Sequence, residues 1–274
     1  MALSLKRELA AGVAIPIVLA VLFLLPPIAF DVLAGAVTLA ALYEFCRLAE
    51  KAGHPVSKTV ALGGGAAVLA LWAPLWGYAG TPDRRGLTVA VVLCLGVAAL
   101  ASVAPLFSGV DPAAALGSSG ATLYGVFALA LPATAMSALR EFSPKAVLLL
   151  FLIVWGCDSF AYYAGRAFGR RLLAPRVSPK KTWEGTIGGL LGATAVGAAS
   201  GVWILPEIGP VRGAVAGALA STAGQIGDLV ESLWKRGAGV KDSGVFLPGH
   251  GGFYDRIDSL IWAAPVLALI VATL

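Results

Sequence analysis

The chain has 274 residues, of which 58% are hydrophobic and only 13% charged, with a mean hydropathy of +0.86. A soluble globular protein carries about a quarter charged residues, so this composition cannot clothe a water-facing surface and excludes an ordinary soluble enzyme. The net charge of +5 does not imply nucleic acid, because basic loops beside anionic lipid account for it.

Apolar runs of the length that crosses about 30 Å of hydrocarbon recur along the chain. They fall at 9–26, 28–49, 57–79, 87–107, 121–139, 145–167, 185–205, 211–231 and 255–274. The pattern predicts an all-α, polytopic integral membrane protein of about nine transmembrane helices. The first run follows Lys6 and Arg7, as in a signal peptide. It is long, however, ends at Pro26-Pro27 and lacks a small-residue cleavage pattern, so an uncleaved span is expected.

Basic residues in alternate loops set the orientation. Fifteen of the 20 Lys and Arg fall on the side of the N-terminus, among them Lys6, Arg7, Arg170, Arg171, Lys180, Lys181, Lys235 and Lys241. The N-terminus is therefore expected in the cytoplasm. Residues 1–140 form an N-terminal part of about five spans. Residues 141–274 form a C-terminal part of about four, with two polar cytoplasmic loops at 166–184 and 232–256. Cys46, Cys94 and Cys157 sit singly in apolar runs, with neither a CxxC pair nor a disulfide framework.

Those two loops hold nearly all the unusual residues. Asp158 lies deep in span six, Asp228 deep in span eight, and Asp255 and Asp258 open span nine. Ionisable groups at such depth are costly and mark a pathway or site. Asp228 and Glu231 share a helix face, as do Asp255 and Asp258. Acidic oxygens from two helices suit a hard cation such as Mg2+, whereas zinc is disfavoured with two histidines and no thiolate cluster. A salt bridge, for example Asp228 to Arg256, is the structural alternative.

Basic groups complement the acids. Lys180 and Lys181 follow Ser178-Pro179, and Lys235, Arg236 and Lys241 flank the second loop. Such groups neutralise phosphate oxygens, although positive-inside anchoring is also a reason for them. Gly249-His250-Gly251-Gly252 offers backbone N–H groups without Cβ obstruction and feeds a helix N-terminus, a lining suited to an anion. His250 has two readings, a general acid or base and a loop histidine bonded locally or to phosphate.

Ser232 to Asp258 resembles the C-terminal signature of the phosphatidate cytidylyltransferase (CDP-diacylglycerol synthase) family. The matching elements are Ser232-x-x-Lys235-Arg236, Lys241-Asp242-Ser243-Gly244, Leu247-Pro248-Gly249-His250-Gly251-Gly252 and Asp255-Arg256-x-Asp258. Trp234 departs from it, standing where an aliphatic residue or Phe is usual. Asp158-Ser-x-Ala-Tyr and Ser178-Pro-Lys-Lys-Thr-Trp-Glu184 resemble further blocks, so the strong match covers about residues 155–260.

The resemblance implies that CTP and phosphatidate give CDP-diacylglycerol and pyrophosphate for phospholipid biosynthesis, with Mg2+ (Mn2+ substituting, one or two ions open). It also implies the bacterial-type cytoplasmic (inner) membrane, a homodimer and no nucleic acid. By motif position Asp228 and Asp255 bind metal, with Asp258 beside them, and Lys235, Arg236, Lys241 and Asp242 serve the phosphates. Asp158, Ser178, Lys180, Lys181, Glu184, His250, Gly251, Gly252 and Arg256 complete the expected substrate site. Two rivals stand beside this reading, a CTP-dependent lipid-alcohol kinase and an ion or metabolite transporter. A CDP-alcohol phosphotransferase lacks its Asp-Gly-x-x-Ala-Arg block here.

Overall fold

The computed structural model describes residues 15–77, 84–244 and 251–274, with backbone alone over 71–77 and 84–87. Lys6, Arg7, His250, residues 9–14 of the first expected span and 78–79 of the third lie outside these residues. The chain divides into two compact units that interleave in sequence: Met1–Glu141 with Ala238–Asp255, and Phe142–Gly237 with Arg256–Leu274.

In the first unit, α1 (Ile15–Leu24) is followed by Pro26 and Pro27, the second of which opens α2 (Pro27–Lys51). Proline suits a first helical turn, where its missing N–H has no partner to lose. α3 (Lys58–Gly77) and α4 (Arg84–Phe107) follow. The expected span 121–139 is a longer stretch beginning at Pro112. There Asp111 accepts from the Ala113 N–H at 2.8 Å and Pro112 fills the first helical position. That stretch comprises α5 (Pro112–Gly125), a π turn over Val126–Ala130 and α6 (Leu131–Phe142). Pro132 supplies the cause: it has no N–H for a regular bond, and the ladder slips one residue, Leu131 N–H bonding Val126 O. Leu42, Phe45, Val97 and Leu129 are buried in this unit.

The second unit is an antiparallel helical set. α7 (Pro144–Phe168) is capped by Ser143, whose hydroxyl accepts from the Lys145 N–H. A short hairpin follows within the expected polar loop 166–184, β1 (Leu172–Ala174) pairing antiparallel with β2 (Ser178–Thr182). α8 (Trp183–Trp203) packs on α7 and on α9 (Gly209–Gly237). Glycine makes the approach possible. A Cβ on Gly197 would overlap the carbonyl of Gly213, and one on Gly189 would lie 2.9 Å from the Cys157 oxygen. α9 runs six residues beyond the expected span 211–231, so Ser232, Lys235 and Arg236 ride on a helix and not in a loop. α10 (Tyr254–Val271) closes the chain.

Five stretches among the described residues are long and apolar enough to cross a membrane: Pro27–Lys51, Thr88–Phe107, Pro112–Phe142, Pro144–Phe168 and Trp183–Trp203. The fold is thus all-α and of the multi-pass membrane type, and nine crossings exceed what these helices establish. α9 falls short because glycine, Ser221, Thr222 and Gln225 dilute its hydropathy. α10 falls short because Asp255, Arg256 and Asp258 crowd its first turns.

Candidate active site

The hairpin brings Lys180 and Lys181 to a cavity lined also by α7, α8 and α9. Thr182 ends β2 and caps α8, its hydroxyl accepting from the Gly185 N–H at 3.1 Å, while Trp183 N–H bonds Arg171 O at 2.9 Å. Glu184 Oε2 accepts from the Arg170 and Arg171 N–H groups at 3.1 and 3.2 Å, tying the hairpin base to the first turn of α8. Glu184 is half-buried, and the bonds it makes are those of a brace.

A cavity of ≈ 480 Å³ opens here, within the usual range for a small-molecule site. α7 contributes Asp158, Tyr162 and Arg166, β2 contributes Lys180 and Lys181, and α9 contributes Gln225 and Asp228. Lys181 Nζ forms an ion pair with Asp228 Oδ2, both side chains partly exposed. Ser232 Oγ donates to the other oxygen of Asp228 at 3.4 Å. Ser178 begins β2 opposite Ala174 and is half-buried.

Beside the cavity, Asp228, Glu231 and Asp258 bring carboxylate oxygens within 4.8 Å of one another. Close helix packing explains the convergence. A Cβ on Gly227 would lie 2.8 Å from the Asp258 carbonyl and 2.5 Å from Trp262, so its absence lets α9 lie against α10. Glu231 is fully buried and Lys235 pairs with it at 2.5 Å, one helical turn on. Asp258 Oδ1 accepts from the Ser259 N–H at 2.6 Å. Arg236 Nε donates to Val177 O at 3.2 Å, which holds α9 to the hairpin turn. These three buried or half-buried carboxylates, all oxygen and without imidazole or thiolate, could hold a hard cation, while the Lys181 and Lys235 ammonium groups balance part of their charge.

The remaining expected residues lie in the first unit, except Arg256, which begins the second part of the other. Asp255 Oδ2 accepts from the N–H groups of Ser243 (2.9 Å) and Gly252 (2.7 Å). The Gly252 amide is therefore directed at Asp255 and not at an outside anion. Gly251 adopts φ +75°, the left-handed region that glycine tolerates. Lys241 and Asp242 are exposed immediately before Ser243.

Glu231 shares the Asp228 face whose acidic oxygens suit a cation, although the motif assigns the ion to Asp228, Asp255 and Asp258. Two further site residues carry no mark in the motifs. Gln225, three residues before Asp228, lines the cavity and donates to Thr186 O at 3.5 Å. Glu44, in α2, holds Ser243, Phe253 and Tyr254. An acid within an apolar helix is a signal for such a role, and α2 carries Asp31 as well as Glu44.

A family model described as the cytidylyltransferase family matches residues 5–274. A phosphatidate cytidylyltransferase of Brucella abortus (biovar 1, strain 9-941) is 45% identical over 155 residues, 53% of this chain and 54% of that protein. One from Haemophilus influenzae is 47% identical over 126 residues, 43% of each chain. One from Pseudomonas aeruginosa is 44% identical over 126 residues, 46% of each. The aligned part of the chain spans about half the length of the curated relatives it matches.

Proposed function

The chain belongs to the cytidylyltransferase family, and we propose that it transfers the cytidylyl group of CTP to phosphatidate, giving CDP-diacylglycerol and pyrophosphate. The observation that carries this reading is the cavity itself. Arg166, Lys180 and Lys181 line it beside the Asp228, Glu231 and Asp258 carboxylates, at the ends of the apolar helices α7 and α8. A lipid phosphate anchored in a bilayer and a nucleotide that cannot enter lipid meet only at such a place.

In the reaction a phosphate oxygen of phosphatidate forms a bond to the α-phosphorus of CTP. The α–β phosphoanhydride bond breaks, and pyrophosphate leaves with the electron pair. A phosphate monoester has its second pKa at about 6, so the nucleophile is anionic at neutral pH and needs no strong base. Arg166, Lys180 and Lys181 neutralise phosphate oxygens, Arg166 with a bidentate fork. Lys181 is already held at the cavity wall by Asp228, so its charge is positioned before substrate arrives, and catalysis is mostly positioning and charge stabilisation. Lys241 and Asp242 act on the phosphates from the second motif. Asp228, Glu231 and Asp258 fit a divalent cation, which we assign as Mg2+ with Mn2+ able to substitute. By its place in the motif Asp255 is assigned to the cation as well. When bound, such an ion offsets the negative charge that gathers on phosphate oxygens during transfer.

The proposal extends to nine membrane crossings with the N-terminus in the cytoplasm, a bacterial-type cytoplasmic membrane and a homodimer. The asymmetry of basic residues supports the orientation. The test is pyrophosphate release by the purified full chain in phosphatidate-containing vesicles with CTP and Mg2+. Release of CDP with a phosphorylated lipid alcohol supports the kinase reading instead.

A further inference from the structure

One buried carboxylate of the first unit has no part in the chemistry above. Glu44 lies in the C-terminal half of α2 and is 8% exposed. Its Oε1 accepts from the Phe253 N–H at 3.1 Å and its Oε2 from the Tyr254 N–H at 2.9 Å. The Ser243 hydroxyl lies 2.8 Å from Glu44 Oε2 and 2.9 Å from Asp255 Oδ2. That hydroxyl has a single proton and serves one carboxylate at a time. The four amides of Ser243, Gly252, Phe253 and Tyr254 donate irrespective of it.

Gly252, Phe253 and Tyr254 supply N–H groups at the start of α10, which a helix leaves without intrahelical partners. A helix start is usually satisfied by the side chain next to it. Here Asp255 takes one of these amides, and Glu44 takes two from a helix about 200 residues earlier. Glycine fits the arrangement, since a Cβ on Gly244 or on Gly252 would overlap the Glu44 carboxylate. The polar groups are nearly dry, Ser243 being 8% and Tyr254 2% exposed. In such surroundings a carboxylate that accepts from N–H groups makes strong bonds and leaves a heavy penalty when withdrawn.

We propose that Glu44 is a positioning residue of the transferase. It fixes the chain on both sides of residues 245–250, so that Lys241 and Asp242, adjoining Ser243, meet the substrate phosphates in one arrangement. The proposal rests on the function given above for its kinetic consequence, and on the hydrogen bonds alone for its structural one.

Glu44→Gln tests it. The substitution keeps size and replaces one accepting oxygen by an NH2 that faces a donor. Amide hydrogen exchange of the full chain in lipid nanodiscs reads the structural arm. Pyrophosphate release with CTP and phosphatidate reads the kinetic arm. The expected result is exchange at Phe253 and Tyr254 at least tenfold faster, with kcat/KM for CTP at least tenfold lower. Melting temperature should fall, as the loss of buried hydrogen bonds requires, while the chain still folds and oligomeric size stays that of the parent. Glu50→Gln, which removes an exposed ion pair with Lys58 on the same helix, should change neither arm. Parental exchange at Phe253 and Tyr254 overturns the proposal, and so does faster exchange with unchanged kcat/KM. If E44Q does not fold, Ser243→Ala carries the test, expected to speed exchange at Tyr254 and lower kcat/KM, no change in either overturning it. If the parent turns over no CTP, the function reading fails, and the exchange comparison still decides for or against the clasp.

Discussion

Replacing Asp258 by Asn removes one charge from three carboxylates and keeps the oxygen that accepts the Ser259 N–H. The oxygens of the group lie within 4.8 Å of one another. At that distance two unit charges repel by about 3.5 kcal/mol at an effective dielectric of about 20. Asp258 faces two such partners, and Lys181 on Asp228 and Lys235 on Glu231 offset much of the repulsion. With the ion pairs in place, a net gain of about 1–2 kcal/mol is expected for D258N in chelator. That corresponds to a melting temperature raised by a few degrees. With Mg2+ the order reverses. The parent gains about 2.7 kcal/mol when the ion stands at a hundredfold its Kd, whereas the variant has lost a ligand and gains little. Thermal melts of the detergent-solubilised chain, with chelator and then along a Mg2+ series, read both signs. Equal Mg2+ shifts in parent and variant would refute the assignment of these carboxylates to a cation.

Lys180→Ala, Lys181→Ala and Lys241→Ala should each lower turnover at least about tenfold, or roughly 1.4 kcal/mol of transition-state stabilisation, while the protein still inserts. Near-normal kinetics in all three would make them anchors of topology. Cysteines placed at 180 and 241 should resist an impermeant thiol reagent in intact cells and react after lysis, as cytoplasmic positions require. Gly197→Ala should cost about 1–3 kcal/mol in melts or reduce the yield of folded protein, because its Cβ has no room against the Gly213 carbonyl. An unchanged melt would show that α8 and α9 can separate freely.

Helix positions were legible where apolar length and end signals agree. Ser143-Pro144 opens α7 and Thr182 caps α8, so the expected spans 145–167 and 185–205 differ from the helices by one or two residues at either end. The start of α5 was hidden because Gly117, Ser118, Ser119 and Gly120 interrupt the apolar run, although Asp111-Pro112 is a clear opening pair. α9 continues past its apolar part because Glu231 and Lys235 support a polar turn. The hairpin was not legible at all, since its strands are short and β2 is mostly Ser, Pro, Lys and Thr. Within the site, charge inside apolar helices pointed to Asp158, Asp228 and Asp258. The same rule applied to α2 points to Asp31 and Glu44 alike. What no spacing reveals is which acids share a place, because that depends on the glycine contact between α9 and α10 at Gly227.

The reaction itself is tested most directly by following phosphorus from CTP into lipid. The purified chain is given phosphatidate and CTP labelled at the α-phosphorus, and in a parallel sample CTP labelled at the γ-phosphorus, with Mg2+ in both. Cytidylyl transfer puts the α label in the lipid fraction and the γ label in released pyrophosphate. Label from the γ position in lipid, with the α label left in soluble CDP, would contradict the account.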